Sequence, residues 1–436
     1  MHHQFAHPGH WLLSRRHFLQ MGTAGLTGLS LDQLLRHRSV TAAELPPHPA
    51  KNVIMVFLTG GPSTIDMWDM KPAARDTIRG EFRPIETSVP DLQICELMPK
   101  LAQQMHHVAL VRSVAHSVPE HTQGATHVMT GNRPTPAFDY PSLGSLAARL
   151  LRTGNGVPGY LSAGSPPATG AGELGSALNP FEFSVPGQNS PEPSRSSIGL
   201  PPGFTVADLE RRQSVLDQVE QRMRKFDASP VAQQLDRFQH EAIEVLRSDK
   251  INIALNLSHE AETVRKSYGE GVFGRNMLAA RRLVEAGARF VTIGYGDWDT
   301  HTNNFSRLRT NLLPPLDQGL SALLTDLAER GLLSETIVYC TGEFGRTPAV
   351  NQSTGRDHWS RAMTALVAGG GFRQGFVYGA TDKDGSDPVD TPCSPDSLSA
   401  TIFQQLGFAP STTVQTQSDR PIALFRNGTV IESLIG

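Results

Sequence analysis

The sequence predicts an α/β protein with a mostly parallel central sheet, and three observations carry that expectation. Residues 52–58, Asn-Val-Ile-Met-Val-Phe-Leu, form an unbroken apolar run ending at Thr59-Gly60-Gly61-Pro62-Ser63, as a strand buried on both faces does where it enters a loop. Apolar runs then alternate with stretches of helical period, the pattern of βαβ units. Glycine (40) and proline (31) are plentiful, which fits ordered turns and long surface loops and does not fit a compact bundle.

The elements follow in order. After the first strand come a helical pattern over Leu97 to Gln104, a strand around His107 to Val111 and a helix near Thr122 to Thr130. Residues 152–203 are crowded with Gly, Pro and Ser. They are too long for an ordinary connection and read as an excursion over the surface, with the position of a lid. Residues 205–267 have helical period with dense Arg, Glu and Gln. They are read as two or three amphipathic helices with a solvated charged face, forming a helical insertion over 205–270. Alternation resumes with a helix over Asn276 to Ala286 stopped by Gly287, a strand Arg289 to Ile293, a helix Leu308 to Arg330 stopped by Gly331, and a strand Thr336 to Thr341. Strands at Met363 to Ala368 and Phe376 to Tyr378 and a helix at Pro395 to Leu406 complete the expectation.

Composition excludes several classes. A length of 436 residues, 39% apolar, affords a packed core, and a formal charge of −3 makes nucleic acid an unsuitable partner. Three cysteines, Cys95, Cys340 and Cys393, allow at most one disulfide and no C-x-x-C metal pair. The amino terminus carries an address. Ser14-Arg15-Arg16-His17-Phe18-Leu19 precedes a mild apolar stretch from Met21 to Leu31 and then Val40-Thr41-Ala42-Ala43. This reads as a twin-arginine export signal over residues 1–43, leaving a mature domain of 44–436 in the periplasm or outside the cell. The apolar stretch is too short for a stable anchor, so no membrane span is expected after export.

In a parallel sheet, chemistry gathers beyond the carboxyl ends of the strands. Those positions are rich here. Ser63, Asp66 and Asp69 follow the first strand, Asp297, Asp299 and His301 the strand at 289–293, and Glu343 and Arg346 the strand at 336–341. Arg356, Asp357 and His358 lie on a further loop. Carboxylates with imidazoles suit a divalent ion such as Zn²⁺, Mn²⁺ or Mg²⁺. Arg346 and Arg356 have the guanidinium geometry that pairs with phosphoryl or sulfuryl oxygens. Asp297, His301, Glu343 and His358 form the expected metal set, Asp66 is a candidate for it, and Asp299 and Asp357 are expected to orient the histidines. Each has a quieter alternative: Asp66 as a helix cap, Glu343 as a structural partner of Arg346. His121 and Thr122 open a helix whose amino end offers backbone N–H groups to an anion. His127, further along, reads as structural.

Gly-Gly-Pro-Ser-x-x-Asp, His121 with Met-Thr-Gly131, Gly-Asp-Trp-Asp-Thr-His, Gly-Glu-Phe-Gly-Arg-Thr-Pro and Gly-Arg-Asp-His-Trp together resemble an exported bacterial family, domain of unknown function 1501, from about Asn52 to Gly407. That family resembles the alkaline phosphatase and sulfatase superfamily. The resemblance implies a three-layer α/β/α sandwich and a metal site, zinc foremost, with Mn, Mg or Ca as alternatives. It sets Asp297, His301 and His358 where those enzymes hold one zinc. Glu343, and Asp66 reaching back from its loop, would hold a second ion. The nucleophile of those enzymes falls at His121, where neither Ser, Thr nor Cys stands, so His121, Thr122 or a metal-held water is left for that role.

The expected function is metal-dependent hydrolysis of phosphate or sulfate esters of a small molecule or polysaccharide outside the cytoplasm. The alternatives are a degenerate relative that binds an anionic or sugar ligand, and a surface-assembly protein.

Overall fold

The apolar run at 52–58 forms β1 (Asn52–Leu58), buried at all seven positions. Its alternate residues feed separate cores: Ile54, Val56 and Leu58 face one, and Val53, Met55 and Phe57 the other. A strand apolar on both faces belongs inside a sheet covered by helices on both sides. The computed structural model describes residues 50–151, 153, 156–185, 195–196, 207–208, 211 and 243–436. Contacts divide the chain into residues 1–44 and one unit of 45–436. The export signal expected over 1–43 lies outside the described residues, as does residue range 212–242 of the insertion.

The elements that frame the molecule are, in chain order, β2 (Val108–Val114), α1 (His121–Thr130), α2 (Leu143–Leu150), β3 (Tyr160–Ala163), β4 (Phe181–Ser184), β5 (Arg195–Ser196), α3 (Val272–Ala286), β6 (Phe290–Tyr295), α4 (Leu313–Glu329), β7 (Thr336–Thr341), β8 (Met363–Ala368), β9 (Phe376–Tyr378) and α5 (Pro395–Gln405). The strands form one nine-stranded sheet in the order β9-β2-β8-β7-β1-β6-β3-β4-β5. β1 runs parallel to β6 and β7, β3 parallel to β6 and β4, and β9 parallel to β2. β8 runs antiparallel between β2 and β7, and β5 antiparallel at the edge. The sheet is thus mostly parallel, as expected.

One face is covered by α3 and α4 through Met277, Leu278, Leu283, Leu316, Leu320 and Leu323. The other is covered by α1, α2 and α5 through Val128, Met129, Leu143, Leu146, Leu398 and Phe403. The result is the three-layer α/β/α sandwich. Gly287 stops α3 in the left-handed region (φ 113°), its N–H reaching the carbonyls of Leu283 and Val284. All three cysteines are buried and unpaired.

Two segments differ from the sequence reading. The stretch 152–203, read as a surface excursion, contributes three strands, β3, β4 and β5, to the sheet, and all four residues of β3 are buried. A four-residue strand amid Gly, Pro and Ser has too little period of its own to be seen without its neighbours. In the insertion, the described helices Lys250–Leu255 and Glu262–Tyr268 pack against α3. Its charges are not all solvated: Glu260 pairs with the fully buried Arg281 at 2.9 Å, alongside Asp326 at 2.8 Å. No helix among the described residues is long and apolar enough to cross a membrane.

Candidate functional site

Parallel pairing brings the carboxyl ends of β1, β6 and β7 to one edge. β2, separated from β7 by a single antiparallel strand, ends there too. The loop after β2 leads into α1 and delivers His121; the loop after β6 delivers Asp299 and His301; the turn after β7 delivers Glu343. β8 begins at this same edge, so the short hairpin before it, which pairs Arg346 with His358, is held there as well.

Two glycines let these loops close on each other. Gly60 (φ 115°) lies so near the loop after β6 that a Cβ would stand 2.4 Å from the Asp299 nitrogen. A Cβ on Gly61 (φ 76°) would meet the Phe344 ring at 2.6 Å. The Gly-Gly pair after β1 is therefore a packing requirement.

His121, Asp299 and His358 each offer a ligand atom within 4.8 Å of the others. His301 adjoins them, its Nε2 3.0 Å from His358 Nε2 and 3.1 Å from Asp299 Oδ1, and His358 Nε2 is 3.4 Å from the same oxygen. His121 Nε2 stands 3.6 Å from Asp299 Oδ2. The far nitrogen of each ring meets an oxygen. His121 Nδ1 donates to Glu343 Oε1 (2.6 Å), His301 Nδ1 to Asp357 Oδ1 (2.7 Å) and His358 Nδ1 to the Pro119 carbonyl (2.9 Å). A carbonyl cannot donate, nor can an ionised carboxylate, so each Nδ1 carries a proton, and each ring turns its Nε2 toward Asp299.

That convergence tests whether a metal fits. Two imidazole nitrogens 3.0 Å apart need positive charge between them, a proton or a metal ion. Nitrogens bound at 2.0–2.1 Å to one tetrahedral zinc stand about 3.3 Å apart, close to the separations found. Imidazoles with Nδ1 on carboxylates or carbonyls and Nε2 turned inward are the arrangement of metal-ligating histidines. The donor set fits a divalent ion.

Electrostatics agree with an ionised Asp299. Burial works against its charge, but the Arg346 guanidinium bonded to Oδ1, together with His301 and His121, holds the carboxyl below its usual range. Asp357 is likewise held low, chiefly by its bond to His301. Burial pushes His358 below the usual imidazole range, helped by Arg346.

The remaining expected residues take other positions. Asp297 is not in the cluster. Residues 296–301 follow β6 without regular secondary structure, and Asp297 forms a corner there (φ 72°), exposed, its carbonyl held by Arg307. Asp299, two residues further on, is the carboxylate beside His301, its Oδ1 3.1 Å from Nε2. Asp66, 1% exposed, accepts both Nε (2.8 Å) and Nη2 (2.7 Å) of the fully buried Arg356, plus Ser63 and Asn304. Arg356 spends its remaining donors on the carbonyls of Ile78, Thr347 and Pro348, so it faces the interior and not a substrate. Arg346 is likewise buried, donating to the carbonyls of Gly60, Gly61, Trp298 and Arg356 as well as to Asp299. Glu343 is 1% exposed and pairs with His121 and the Gly60 N–H.

At the start of α1, the Glu120 carboxylate takes the N–H groups of Thr122 and Gln123. The donors expected to greet an anion are already capped. Thr122 is exposed. His127 is buried on Asp396, a structural position. The sequence reading had Asp299 as an orienter and passed over His116, whose Nε2 donates to the Glu343 carbonyl (2.8 Å). Nothing in the sequence pattern distinguished Asp299 from Asp297 as the carboxylate that faces the histidines.

Fold and site together define a three-layer α/β protein with a histidine–carboxylate cluster at the carboxyl edge of its sheet. The chain belongs to the family described as protein of unknown function (DUF1501), whose profile matches residues 50–435. No curated protein matches it by sequence. Among solved structures, the chain is similar to the alkaline phosphatase of the Antarctic bacterium TAB5 (12% identity, 83% of this chain and 99% of that one, TM-score 0.36), a variant of which is solved with Mg bound. It is also similar to the PsFucS1 sulfatase of Pseudoalteromonas sp. (11%, 86% and 70%, TM-score 0.35) and to Ps i-CgsB in complex with k-i-k-neocarrahexaose (10%, 82% and 72%, TM-score 0.38).

Proposed function

We propose that this protein is a metal-dependent hydrolase of phosphate or sulfate esters, of a small molecule or polysaccharide, acting outside the cytoplasm. Its ion, zinc in preference to Mn, Mg or Ca, is held by His121, Asp299, His301 and His358. The observation that carries the reading is the convergence of three Nε2 atoms on the Asp299 carboxylate, each ring braced from behind at Nδ1. A divalent ion bound there supplies a Lewis acid beside the ester and acidifies water. The chain's own residues do the rest. Arg346 holds Asp299 ionised and aimed at the imidazoles, Asp357 and Glu343 fix two ring orientations, and Phe344 lies against the rings of both His121 and His358, with centroids 5.1 and 4.5 Å away.

A single ion is the reading the side chains support, because Asp66 is engaged by Arg356 and Glu343 Oε1 by His121 and Gly60. The Glu120 carboxylate occupies the helix end beside Thr122, which favours water as the attacking group. Export rests on the amino-terminal Ser-Arg-Arg-His-Phe-Leu motif.

Elemental analysis of protein prepared without chelator, with a panel of aryl phosphates and sulfates, tests the reading. About one divalent ion per chain and turnover abolished by chelation are expected. A folded protein that takes up no stoichiometric ion would refute it. Retention of the ion with no turnover would support a ligand-binding relative, a second reading favoured by the absence of a free hydroxyl or thiol nucleophile at His121.

A further inference from the structure

The Gly-Glu-Phe turn after β7 contains a carboxylate that the proposed ion does not need. Glu343 is almost wholly buried, yet its bonds are unevenly shared. Oε1 accepts the Gly60 N–H at 2.8 Å and His121 Nδ1 at 2.6 Å, while Oε2 is buried with no hydrogen-bond partner. A buried carboxylate oxygen left without a donor is costly. The backbone around it is fixed as well: the Glu343 carbonyl accepts His116 Nε2 at 2.8 Å, and Phe344 fills the space a Gly61 side chain would occupy.

We infer that Glu343 is a positioning residue and not a ligand: it fixes His121 in the Nδ1-protonated tautomer, so that Nε2 alone faces Asp299 and the cluster. Three features point the same way. His121 opens α1 and is half-exposed, so its helix leaves the ring free to turn. Its short bond to Glu343 runs from Nδ1, the nitrogen remote from the cluster. Glu343 is anchored to the β1 end through Gly60, so the ring is referred to the sheet and not to its own helix. Of the three rings, His301 is braced by a half-exposed Asp357 and His358 by a backbone carbonyl. His121 alone is braced by a buried carboxylate, the strongest acceptor of the three in its setting.

The inference rests on the cluster being the working site, but its test needs neither metal nor turnover. In metal-free protein selectively ¹⁵N-labelled at histidine, at a pH well above the ordinary imidazole range, long-range nitrogen–proton correlation reports which nitrogen of each ring carries the proton. His121 is expected to be protonated at Nδ1 in the wild type. In Glu343→Ala it is expected to spread over both tautomers, while His301 and His358 keep theirs; in Glu343→Gln the amide oxygen, still able to accept from Nδ1, restores part of the bias. Zinc affinity, read by competition with a chromogenic chelator, should fall about 10–100-fold in Glu343→Ala, with the saturating stoichiometry unchanged. A wild-type His121 protonated at Nε2 would overturn the inference without recourse to any variant. So would a folded Glu343→Ala protein whose His121 tautomer is unaltered, or a drop in stoichiometry at saturation, which would make Glu343 a ligand.

Discussion

The buried pair between Asp66 and Arg356 separates two roles for Asp66, as an ion's ligand or as a strut of the loop that carries His358. Arg356 is fully buried and donates twice to Asp66, at 2.7 and 2.8 Å, while Ser63 (2.6 Å) and Asn304 (2.8 Å) add two further donors. Asp66→Asn keeps the shape but removes the charge, and turns an NH₂ group toward a guanidinium that has nowhere else to go. Breaking a buried pair from one side costs about 3–5 kcal/mol. For the unit of residues 45–436, an unfolding entropy of ~2.1 cal/mol/K per residue sums to about 0.8 kcal/mol/K, so Tm should fall about 4–6 °C. Calorimetry in excess chelator reads this directly, and the drop should be the same whether or not the ion is present. Replacing Arg356 by Met in the same protein should recover part of the loss, since no unpaired charge then stays buried. The reasoning fails if Asp66→Asn melts with the wild type in chelator and instead loses its bound ion.

Other consequences are quicker to check. Asp299→Ala should sharply weaken zinc binding and Asp297→Ala should leave it unchanged, because only Asp299 faces the imidazoles; competition titration compares them. Asp357→Ala should weaken zinc binding about tenfold by releasing His301 Nδ1. Gly61→Ala would drive a Cβ to 2.6 Å from the Phe344 ring in a left-handed conformation, and should lower both Tm and zinc affinity, since that ring lies against His121 and His358. The metal-free protein should lose stability as pH falls. Asp299 and Asp357 are held below their usual range and His358 below 6.5, so the unfolded chain binds more protons than the folded one. The decline should begin beneath about pH 6.5 for His358 and continue through the carboxylate range. A flat stability profile from pH 7 to 4 would contradict it.

How much of this was legible beforehand differs between scaffold and site. The strands Thr336–Thr341 and Met363–Ala368, buried at every position, were readable with their bounds from their largely apolar runs, and the edge strand Phe376–Tyr378 from its aromatic and β-branched residues between glycines. Tyr160–Ala163 was not, because its burial comes from β6 and α2 and not from any pattern of its own. His301, Glu343 and His358 were readable, with Asp297, as one group, since loops that follow parallel strands collect on the same side, whereas His121 was readable only as the start of a helix.

What each of those side chains does was decided in three dimensions. Asp297 and Asp299 are the same residue type, and both flank Trp298; a left-handed corner at Asp297 and the close pass of Gly60 turn the second toward the imidazoles and leave the first in solvent. Arg346 and Arg356 read as binders of anionic oxygens until their partners are known, and those partners, Asp299 and Asp66, lie 47 and 290 positions away. Periodicity reports which face of an element is buried. It carries nothing about which buried charge meets which, because such pairings form between segments that come together only after the sheet has assembled. The amino-acid order thus determined the layers and the edge where polar groups collect, and the packed fold alone selected the carboxylate that faces the three rings.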